Sequence, residues 1–488
     1  MKSIKRANQK ILKIRDDNMN LIELYPKLKI NAPVLGITAN SKRVRKNFIF
    51  VAIKGQRQNG MKYVKEALDN GACLIVTDQM VFKNYNHIRV RNAKAEYIRL
   101  LQIFYHYNHE IYTVGITGTD GKTTTATILN HIFNVAKSSA YIGTNGISYL
   151  NKKIRTKHTT PTPDLFYEAY NILKKHEIND LVMEVSSEGI LDGRIDKLEF
   201  DGAIFTNLTH EHLNTHKTMG QYFKTKVKLF ERLKENGLAV INSDDFYATE
   251  AIAYTKARVV TYGVNSGMYQ AKKIHLDMLH SEFDVFYKGF FLAHFKLPLF
   301  GKYNIYNALA AIAYTNELGI DLKIIKESIS TLPPIEGRFM HIKNKNNVAG
   351  IVDFAHTPNA LFNLLENIGE FKKGRIISIL GAQGEKDKSK RYLMGDIATQ
   401  YSDITIFTSE DPKHESLFGI LYDLTSKLKN KEYYMTLSRK EAIRLAADLA
   451  KPNDVIVITG KGNETTEQIY DLHFKHNDFT LLKNALDA

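Results

Sequence analysis

Cysteine, tryptophan and proline are scarce in this sequence, which has one, none and ten of them among 488 residues. A single cysteine, Cys73, excludes an internal disulfide and a cysteine-rich metal site, and it favours a reducing cytosol. Because Cys73 lies in the apolar run 72–76, we expect it to pack in a core. No run approaches the roughly 18 apolar residues that span a bilayer, and no apolar stretch follows the basic N-terminal residues. These absences predict a cytoplasmic protein without a signal peptide or membrane insertion.

The composition is that of a folded protein with several domains. Hydrophobic residues make up 44%, which is enough for ordinary cores, and the length suggests about three domains. The formal net charge is +15. Because the lysines are spread along the whole chain and no RNA-binding aromatic pattern accompanies them, we interpret the charge as a solvated surface with a local excess near phosphate sites. We expect no nucleic-acid partner.

Strand and helix patterns divide the chain into an α/β protein of three domains. Residues 1–109 mix short strands with helical stretches, which predicts a small N-terminal α/β domain. In 110–332, buried strands alternate with helices, which predicts a central P-loop domain with a mostly parallel sheet. Several short strands over 257–300 predict an antiparallel annex to it. Residues 333–488 repeat the α/β pattern, which predicts a Rossmann-like, doubly wound C-terminal domain with ligands at the strand ends.

The strongest single motif is a glycine loop between the predicted strand 111–116 and a helix from about Thr123. Its residues are Gly118, Thr119, Asp120, Gly121, Lys122, Thr123 and Thr124. Backbone N–H groups of such a loop surround a phosphate, the lysine reaches the β and γ oxygens, and the threonine hydroxyl binds Mg²⁺. The strict pattern has glycine at position 116, where this chain has Ile116. The loop predicts ATP binding. Because kinases, GTPases and motors also carry such a loop, it does not identify the group that accepts the terminal phosphoryl group.

Further motifs follow one another in order along the whole chain. They are Gly115-Ile-Thr-Gly-Thr-Asp-Gly-Lys-Thr-Thr124, Thr159-Thr-Pro-Thr-Pro163, Met183-Glu-Val-Ser-Ser187, Thr206-Asn-Leu-Thr209, Glu211-His-Leu-Asn-Thr-His216, Gly301-Lys-Tyr-Asn-Ile-Tyr-Asn307, Glu336-Gly-Arg-Phe339 and Val352-Asp-Phe-Ala-His-Thr-Pro358. The ordered set resembles the Mur ligase family, and within it the MurE-type branch of UDP-N-acetylmuramoyl-tripeptide synthetases.

This resemblance implies an ATP-dependent, ADP-forming amide ligase of peptidoglycan precursor synthesis. A carboxylate of UDP-N-acetylmuramoyl-L-Ala-D-Glu would attack the γ-phosphate of ATP and form an acyl phosphate. The amine of a third amino acid would then displace phosphate. Since charge accumulates on the transferring phosphoryl group, positioning and cations would provide most of the catalysis.

The resemblance also implies roles for individual residues. Lys122, Glu184, His212 and Lys226 match catalytic positions, and Thr123, Glu184, His212 and Lys226 match ligands of two Mg²⁺ ions. Lys226 aligns with a lysine that the family carbamylates, and CO₂ would turn its amine into an anion able to bind Mg²⁺. Taken alone, Glu184 could equally form a salt bridge at a strand end, His212 could be structural, and the alternating Lys224, Lys226 and Lys228 are typical of a solvated face.

Nucleotide and substrate contacts are implied in the same way. Asn304, Arg338, Asp353 and His356 match ATP contacts, and the last three require the C-terminal domain to close onto the P-loop domain. Contacts to the UDP-muramoyl dipeptide are matched by Ser41, Lys42, Thr159, Thr160, Ser186 and Arg194.

The match loosens at the amino-acid pocket, where Lys386, Glu410, Asp411, Lys413 and Glu464 take the substrate-binding positions. The family's diaminopimelate-adding members carry Asp-Asn-Pro-Arg, whose arginine holds the distal carboxylate. Here the stretch is Glu410-Asp-Pro-Lys413, and a lysine is not equivalent to that planar fork. Two more departures are Glu188 and Asn463, both in place of histidine. The acceptor is therefore expected to be L-lysine, meso-diaminopimelate or another amino acid.

Two other functions stay open on the sequence. One is a related ligase acting on another carboxylate, such as folylpolyglutamate or a secreted peptide, although the N-terminal nucleotide motif argues against folate ligases. The other is a non-catalytic nucleotide-binding paralogue, which Glu188 and Asn463 favour and which intact Lys122, Glu184 and Lys226 disfavour. We expect a monomer that acts on small molecules.

Overall fold

The computed structural model describes residues 19–28, 30–55, 58–80, 85–344, 346–428 and 432–487. It has three main sheets, of four, eleven and six strands, and a separate two-stranded hairpin. The three sheets follow one another along the chain, and helices cover them. The predicted class, an α/β protein with a small N-terminal domain, a central P-loop domain and a Rossmann-like C-terminal domain, is confirmed. The boundaries 1–109, 110–332 and 333–488 stay a prediction.

The N-terminal domain is a parallel four-stranded sheet in the order β1-β2-β3-β4. Its strands are β1 (Gly36–Thr38), β2 (Phe48–Ala52), β3 (Ala72–Thr77) and β4 (His87–Arg89), and its helices are α1 (Leu21–Leu24), α2 (Val64–Asp69) and α3 (Ala93–Phe104). Cys73 lies half-buried in β3, where its thiol donates a hydrogen bond to the Phe48 carbonyl (3.3 Å) and burial raises its pKa to about 11.

The central sheet has the order β15-β14-β13-β12-β11-β10-β5-β9-β6-β7-β8. Its strands are β5 (Tyr112–Thr117), β6 (Ser139–Gly143), β7 (Gly146–Tyr149), β8 (Lys152–Ile154), β9 (Asp180–Glu184), β10 (Phe200–Phe205), β11 (Leu233–Asn242), β12 (Arg258–Gly263), β13 (Tyr269–Leu276), β14 (Ser281–Tyr287) and β15 (Phe290–Leu297). Its helices are α4 (Lys122–Ala136), α5 (Pro163–Lys175), α6 (Ser187–Leu191), α7 (Leu213–His216), α8 (Met219–Lys226), α9 (Ala248–Ile252), α10 (Lys302–Glu317) and α11 (Leu322–Ser330). The parallel strands β10, β5 and β9 lie side by side at its centre, so their carboxyl ends meet.

The C-terminal sheet has the order β16-β17-β21-β18-β19-β20 and is parallel apart from the edge strand β16. Its strands are β16 (Met340–Ile342), β17 (Ala349–Val352), β18 (Ile376–Leu380), β19 (Ile404–Phe407), β20 (Tyr434–Met435) and β21 (Val455–Ile458), and the hairpin is β22 (Thr466–Ile469) with β23 (Leu472–Lys475). Its helices are α12 (Pro358–Phe371), α13 (Arg391–Tyr401), α14 (Leu417–Thr425), α15 (Arg439–Leu449) and α16 (Asp478–Asp487).

The antiparallel annex predicted over 257–300 is present as β13, β14 and β15, which pair antiparallel and extend the central sheet, whereas β12 belongs to its parallel part. Strand β12 pairs in parallel with β11, and β13, β14 and β15 extend the same sheet. Their inward residues pack with α10 and α11 into the core of the central domain. Among the described residues, β15 is the edge strand on this side of the sheet. Within the described residues, each helix is too short or too polar to cross a bilayer.

Candidate active site

A cavity of about 1660 Å³ lies where the three domains meet. Residues of the N-terminal domain line one end, the loops after the central strands line the middle, and loops of the C-terminal domain line the other end. Pockets for one small ligand usually have volumes of roughly 300–1,000 Å³. The cavity therefore has room for more than one substrate.

The glycine loop has the backbone shape that phosphate binding needs. Gly121 has φ +83° and precedes the first residue of α4, and a Cβ on it would lie 2.3 Å from the Asn307 side-chain oxygen. Gly118 has φ +149°, and a Cβ there would lie 1.8 Å from the Thr206 hydroxyl. Non-glycine residues would thus be strained at both positions. The N-terminus of α4, with its unpaired N–H groups, opens toward the cavity.

Lys122 and Lys226 converge on the same carbonyl of this loop. Lys122 Nζ donates to the Gly118 and Thr119 carbonyls at 2.9 and 2.7 Å, and Lys226 Nζ donates to the Gly118 carbonyl at 2.6 Å. Lys226 is only 1% exposed and lies over the ring of Tyr222. Burial, and then the charge of Lys122, hold the pKa of Lys226 well below its usual range. It is thus not part of the solvated face that its sequence neighbours suggest.

Glu184 is the last residue of β9 and is fully buried. Tyr141 and the Thr144 backbone donate to its Oε1 at 2.5 and 3.0 Å, and the hydroxyls of Thr144 and Thr123 donate to its Oε2 at 3.1 Å. Its partners are neutral donors, so the salt bridge considered above is not formed. One carboxylate oxygen and the Thr123 hydroxyl therefore lie side by side at the start of α4.

His212 follows β10 and begins α7 in a left-handed conformation, with φ 58°. It lines the cavity, and burial followed by the charges of Lys226, Lys386 and Lys122 holds its pKa far below the usual range. The imidazole is therefore neutral at pH 7, which is the form that binds metals.

Arg338 reaches the glycine loop from the start of the C-terminal domain. Its Nη2 donates to the Thr123 hydroxyl at 3.0 Å, and its guanidinium stacks over the Phe354 ring. Asp353 is buried and accepts hydrogen bonds from the backbone of Phe339 and Ala355, both at 2.7 Å. It thus holds together the two backbone segments around Arg338.

The other predicted nucleotide residues lie nearby. His356 lines the cavity and donates from Nδ1 to the Phe354 carbonyl at 2.8 Å, and burial lowers its pKa to about 3. Asn304, near the start of α10, lines the cavity, donates to the Phe300 carbonyl and accepts from Asn307. Both are therefore placed in the same cavity as Lys122.

The C-terminal domain also holds Asp120 of the loop. The Thr357 hydroxyl lies 3.1 and 3.2 Å from its two carboxylate oxygens, and the Asn359 amide lies 3.4 Å from one of them. A buried ion pair between Lys390 and Glu211, at 2.9 Å, joins the same two domains. The described conformation is therefore closed over the glycine loop.

The residues predicted for the UDP-muramoyl dipeptide divide into two groups. Thr159, Ser186 and Arg194 line the cavity. Thr160 is buried behind them, where its hydroxyl donates to the Glu184 carbonyl and its own carbonyl accepts from Arg194. Ser41 and Lys42 do not line the cavity: the Ser41 hydroxyl donates to Glu66 at 2.6 Å, and Lys42 is exposed.

The far end of the cavity carries the residues predicted for the amino acid. Glu410 is 5% exposed, lines the cavity, and its Oε2 accepts no hydrogen bond. Burial raises its pKa to about 7, against the opposing charges of Arg439 and Lys461. Asp411 is held by Lys461 at 2.9 Å and by the backbone of Gln468 at 2.7 Å, and it does not line the cavity.

Most cations at this end are already paired with acids. Lys461 contacts Glu464 at 2.8 Å as well as Asp411, and Lys386 contacts Glu188 of the central domain at 3.2 Å. Lys413 is half-buried, and burial followed by the charge of Lys386 lowers its pKa.

Two family models match the chain. The description Mur ligase middle domain matches residues 116–315, and Mur ligase, glutamate ligase domain, matches residues 337–462. Curated relatives are more than 30% identical over nearly their full length. The chain belongs to the Mur ligase family. This protein is an ATP-dependent amide ligase.

Three relatives illustrate the similarity to Mur ligases. A UDP-N-acetylmuramoyl-L-alanyl-D-glutamate–2,6-diaminopimelate ligase of Caldanaerobacter subterraneus is 34% identical, covering 93% of this chain and 95% of its own. The enzyme of that name from Clostridium botulinum is 36% identical, covering 91% and 93%. UDP-N-acetylmuramyl-tripeptide synthetase 2 of Oceanobacillus iheyensis is 36% identical, covering 95% and 98%.

Solved Mur ligase structures share the whole architecture. A UDP-N-acetylmuramoyl-L-alanyl-D-glutamate–2,6-diaminopimelate ligase superposes with a TM-score of 0.63 at 26% identity, covering 96% of this chain and 99% of its own. The MurF ligase of Thermotoga maritima in complex with ADP superposes with a TM-score of 0.66 at 21% identity, covering 87% and 93%. The second likeness shows the fold alone.

Several residues that shape the site had no signal in the sequence. Tyr141 and Thr144 hold Glu184 from β6 and the turn after it, Thr357 and Asn359 hold Asp120, and Lys390 pairs with Glu211. Thr357 and Glu211 lie inside stretches that resemble the family, but nothing in those stretches indicated their partners. The others are common polar residues whose partners are distant in sequence.

Proposed function

We propose that this Mur ligase adds a third amino acid to UDP-N-acetylmuramoyl-L-Ala-D-Glu during peptidoglycan precursor synthesis. The observation that carries the proposal is the closed cavity, in which the glycine loop, Glu184 and Arg338 meet acidic residues of the C-terminal domain. The relatives' names supply the substrate. Residues 1–109 would hold the UDP moiety, 110–332 the ATP, and 333–488 the amino acid, in a cytoplasmic monomer.

In this reaction the glycine loop orients the ATP phosphates, and Lys122 releases its carbonyl partners to neutralise the γ-phosphoryl group. Arg338 adds a second cation from the C-terminal domain, so domain closure completes the charge balance. The muramoyl carboxylate attacks the γ-phosphorus, ADP leaves, and the amine of the third amino acid displaces phosphate from the acyl phosphate. Thr159, Ser186 and Arg194 would position the carboxylate.

The residues present fit Mg²⁺. Thr123 and Glu184 offer a hydroxyl and a carboxylate 3.1 Å apart, and His212 is neutral. Among the described residues no cluster of three or more His, Cys, Asp and Glu could hold a metal. This suits Mg²⁺, which usually takes one or two carboxylates and completes its shell with phosphate oxygens and water. When bound, Mg²⁺ would neutralise charge on the transferring phosphoryl group.

Lys226 is proposed to be carbamylated. A neutral, buried amine is the form that attacks CO₂, and the reaction gives a carbamate and releases one proton. The product would be an anion beside Lys122, so the two amines that share the Gly118 carbonyl would become an attractive pair of opposite charges. This supports its assignment as a Mg²⁺ ligand together with Glu184 and His212.

Lys226→Ala should lower turnover about 10³-fold, and a short carboxylic acid should restore part of it. The exposed neighbour Lys224 provides the matched control, because Lys224→Ala keeps the same helix and removes the same charge. Near-normal turnover of Lys226→Ala, or an equal loss in Lys224→Ala, would contradict the carbamate.

The third amino acid is proposed to be meso-diaminopimelate, the substrate in the names of most of the relatives. A second candidate, L-lysine, is favoured by a specific observation. Lys386 and Lys461 are already paired with acids, whereas Glu410 Oε2 is buried without a partner. Such a site suits a side-chain ammonium better than a distal carboxylate.

The deciding experiment is phosphate release with UDP-N-acetylmuramoyl-L-Ala-D-Glu, ATP and a panel of amino acids. Amino-acid-dependent release supports the ligase, and the preferred amino acid identifies the pocket's substrate. Absence of release with every amino acid would favour a paralogue with another carboxylate substrate or a non-catalytic protein. Phosphate release with folylpolyglutamate precursors in the same panel would indicate a paralogue with another carboxylate substrate rather than a non-catalytic protein.

A further inference from the structure

The positive charge of this protein is concentrated in its first domain. Residues 1–109 contain 21 Lys and Arg but only 7 Asp and Glu, whereas residues 110–488 contain 46 and 45. The lysines are indeed spread along the chain, but the acids are not. One domain therefore carries almost all of the +15. The interpretation of the charge as a solvated surface with a local excess near phosphate sites stays a prediction.

Part of this charge lies at the edge of the sheet where the strands of the first domain begin. Leu35 precedes β1, Arg45 and Lys46 precede β2, and the Leu35 N–H donates to the Asn47 carbonyl at 2.9 Å. The segment with Ile22 and Lys27 joins this edge through the Asn20–Pro33 bridge and the hydrogen bond from the Leu21 N–H to the Ala32 carbonyl. We call Ile22, Lys27, Leu35, Arg45 and Lys46 the basic edge.

The basic edge combines exposed apolar side chains with unpaired cations. Ile22 is 42% exposed and Leu35 is 55% exposed. Lys27, Arg45 and Lys46 are exposed, and within the described ranges none of the three has an acidic partner. Apolar tips surrounded by cations are typical of surfaces that lie on a lipid headgroup layer.

The substrate cavity does not explain this charge. The residues of the first domain that line the cavity, such as Ala39 and Ile53, follow the opposite ends of β1 and β2. At about 3.3 Å per residue, the five residues of β2 separate the two edges by roughly 17 Å. Since the screening length at physiological salt is about 8 Å, a small anion in the cavity gains little from Arg45 or Lys46.

We propose that the basic edge docks this protein peripherally on an anionic lipid bilayer. Each basic residue near an anionic leaflet strengthens binding severalfold, and Ile22 and Leu35 can enter the headgroup layer without insertion of a helix. Nucleic acid fits less well, because the exposed large apolar residues described between 19 and 109 are Ile22, Leu35, Met80 and Ile103. None of these is an aromatic ring that could stack on bases.

The test is co-sedimentation of the full chain with vesicles of phosphatidylcholine alone or with 30% phosphatidylglycerol. We expect binding only to the anionic vesicles, weakened by raising salt from 50 to 300 mM. The double variant Arg45→Glu/Lys46→Glu should bind roughly 30-fold more weakly or worse. The matched control Lys323→Glu/Lys326→Glu, on exposed positions of α11, has the same net charge and should bind within about threefold of the unmodified protein.

Two further measurements separate a loss of lipid binding from a loss of folding and test the apolar part of the basic edge. Phosphate release should be unchanged in both double variants, which shows that they fold, and Leu35→Ser should weaken vesicle binding without altering its salt dependence. The proposal is overturned by absence of binding to anionic vesicles, by equal losses in the two double variants, or by single-stranded RNA binding that Arg45→Glu/Lys46→Glu abolishes while vesicle binding persists.

Discussion

The two ends of the cavity are built on different principles. At the nucleotide end, backbone carbonyls and hydroxyls engage Lys122, Lys226 and Glu184, so each of these three side chains has a partner. At the amino-acid end, side-chain charges pair with one another, and Glu410 Oε2 is left without a hydrogen bond. A loop of backbone groups can bind any triphosphate. Side-chain charges, by contrast, can be changed by substitution so that the pocket suits a particular amino acid.

Lys122→Ala removes the central cation of the nucleotide end and should have the largest effect. We expect turnover to fall at least about 10³-fold, measured as ADP release, because among the described side chains Lys122 alone donates to both the Gly118 and Thr119 carbonyls. Far-ultraviolet circular dichroism checks that the variant folds. Full turnover in a folded variant would show that Arg338 alone supplies the charge.

Glu410→Ala tests the amino-acid end. We expect the KM of the amino acid to rise about 100-fold, because a buried charge pair with the ligand is lost, while the KM of ATP stays nearly constant. Glu366→Ala, at another cavity-lining acid, is the control. A parallel rise in both KM values would mean that the two ends are not separate.

Thr357→Val tests the contact that joins the C-terminal domain to the glycine loop at the nucleotide end. Loss of a hydrogen bond to the charged Asp120 should lower kcat/KM for ATP about tenfold. Because the Thr357 hydroxyl also caps α12 by accepting from the Ala360 N–H, Thr357→Ser is the control and should restore both roles. If Thr357→Val alters only the melting temperature, the contact is structural.

The pH dependence should differ between the ends. Burial raises the pKa of Glu410 to about 7, so kcat/KM for the amino acid should fall as pH drops below 7, about tenfold between pH 8 and 6. Glu410→Gln should make this profile flat. The folded state also keeps a proton that the unfolded chain loses above its ordinary value of 4.5, so the free energy of unfolding should decrease from pH 4.5 to 7, and less so in Glu410→Gln.

Glu188→Gln should have the smallest effect. The Glu188–Lys386 ion pair is partly exposed, at 40% and 30%, and such pairs contribute about 0–1 kcal/mol. We expect less than about a threefold change in the KM of the amino acid, with the KM of meso-diaminopimelate decreasing and that of L-lysine increasing. A change in the opposite direction would show that Lys386 does not contact the amino acid's side chain.

The regular elements around the site were predictable from short-range pattern. Strand patterns over 180–185, 375–380 and 454–459 and a helical pattern over 391–401 can be recognised in the sequence. Strands β9, β18 and β21 and helix α13 lie within one residue of these bounds. Hydrophobic periodicity and glycine positions depend on residues that are neighbours in the chain, so they can be recognised in the sequence. The continuation of the central sheet through β15 was not predictable, because pairing between β12 and β13 has no local signature.

The sequence by itself determined the elements, the glycine loop and the family, since each depends on residues close together in the chain. Only the tertiary structure decided which charges meet. Arg338 and Thr123 are 215 positions apart, Thr357 and Asp120 are 237, and Lys386 and Glu188 are 198. Contacts at such separations depend on how the domains close. For the same reason the partners of Lys226, a lysine among alternating lysines, could be found only once the fold was known.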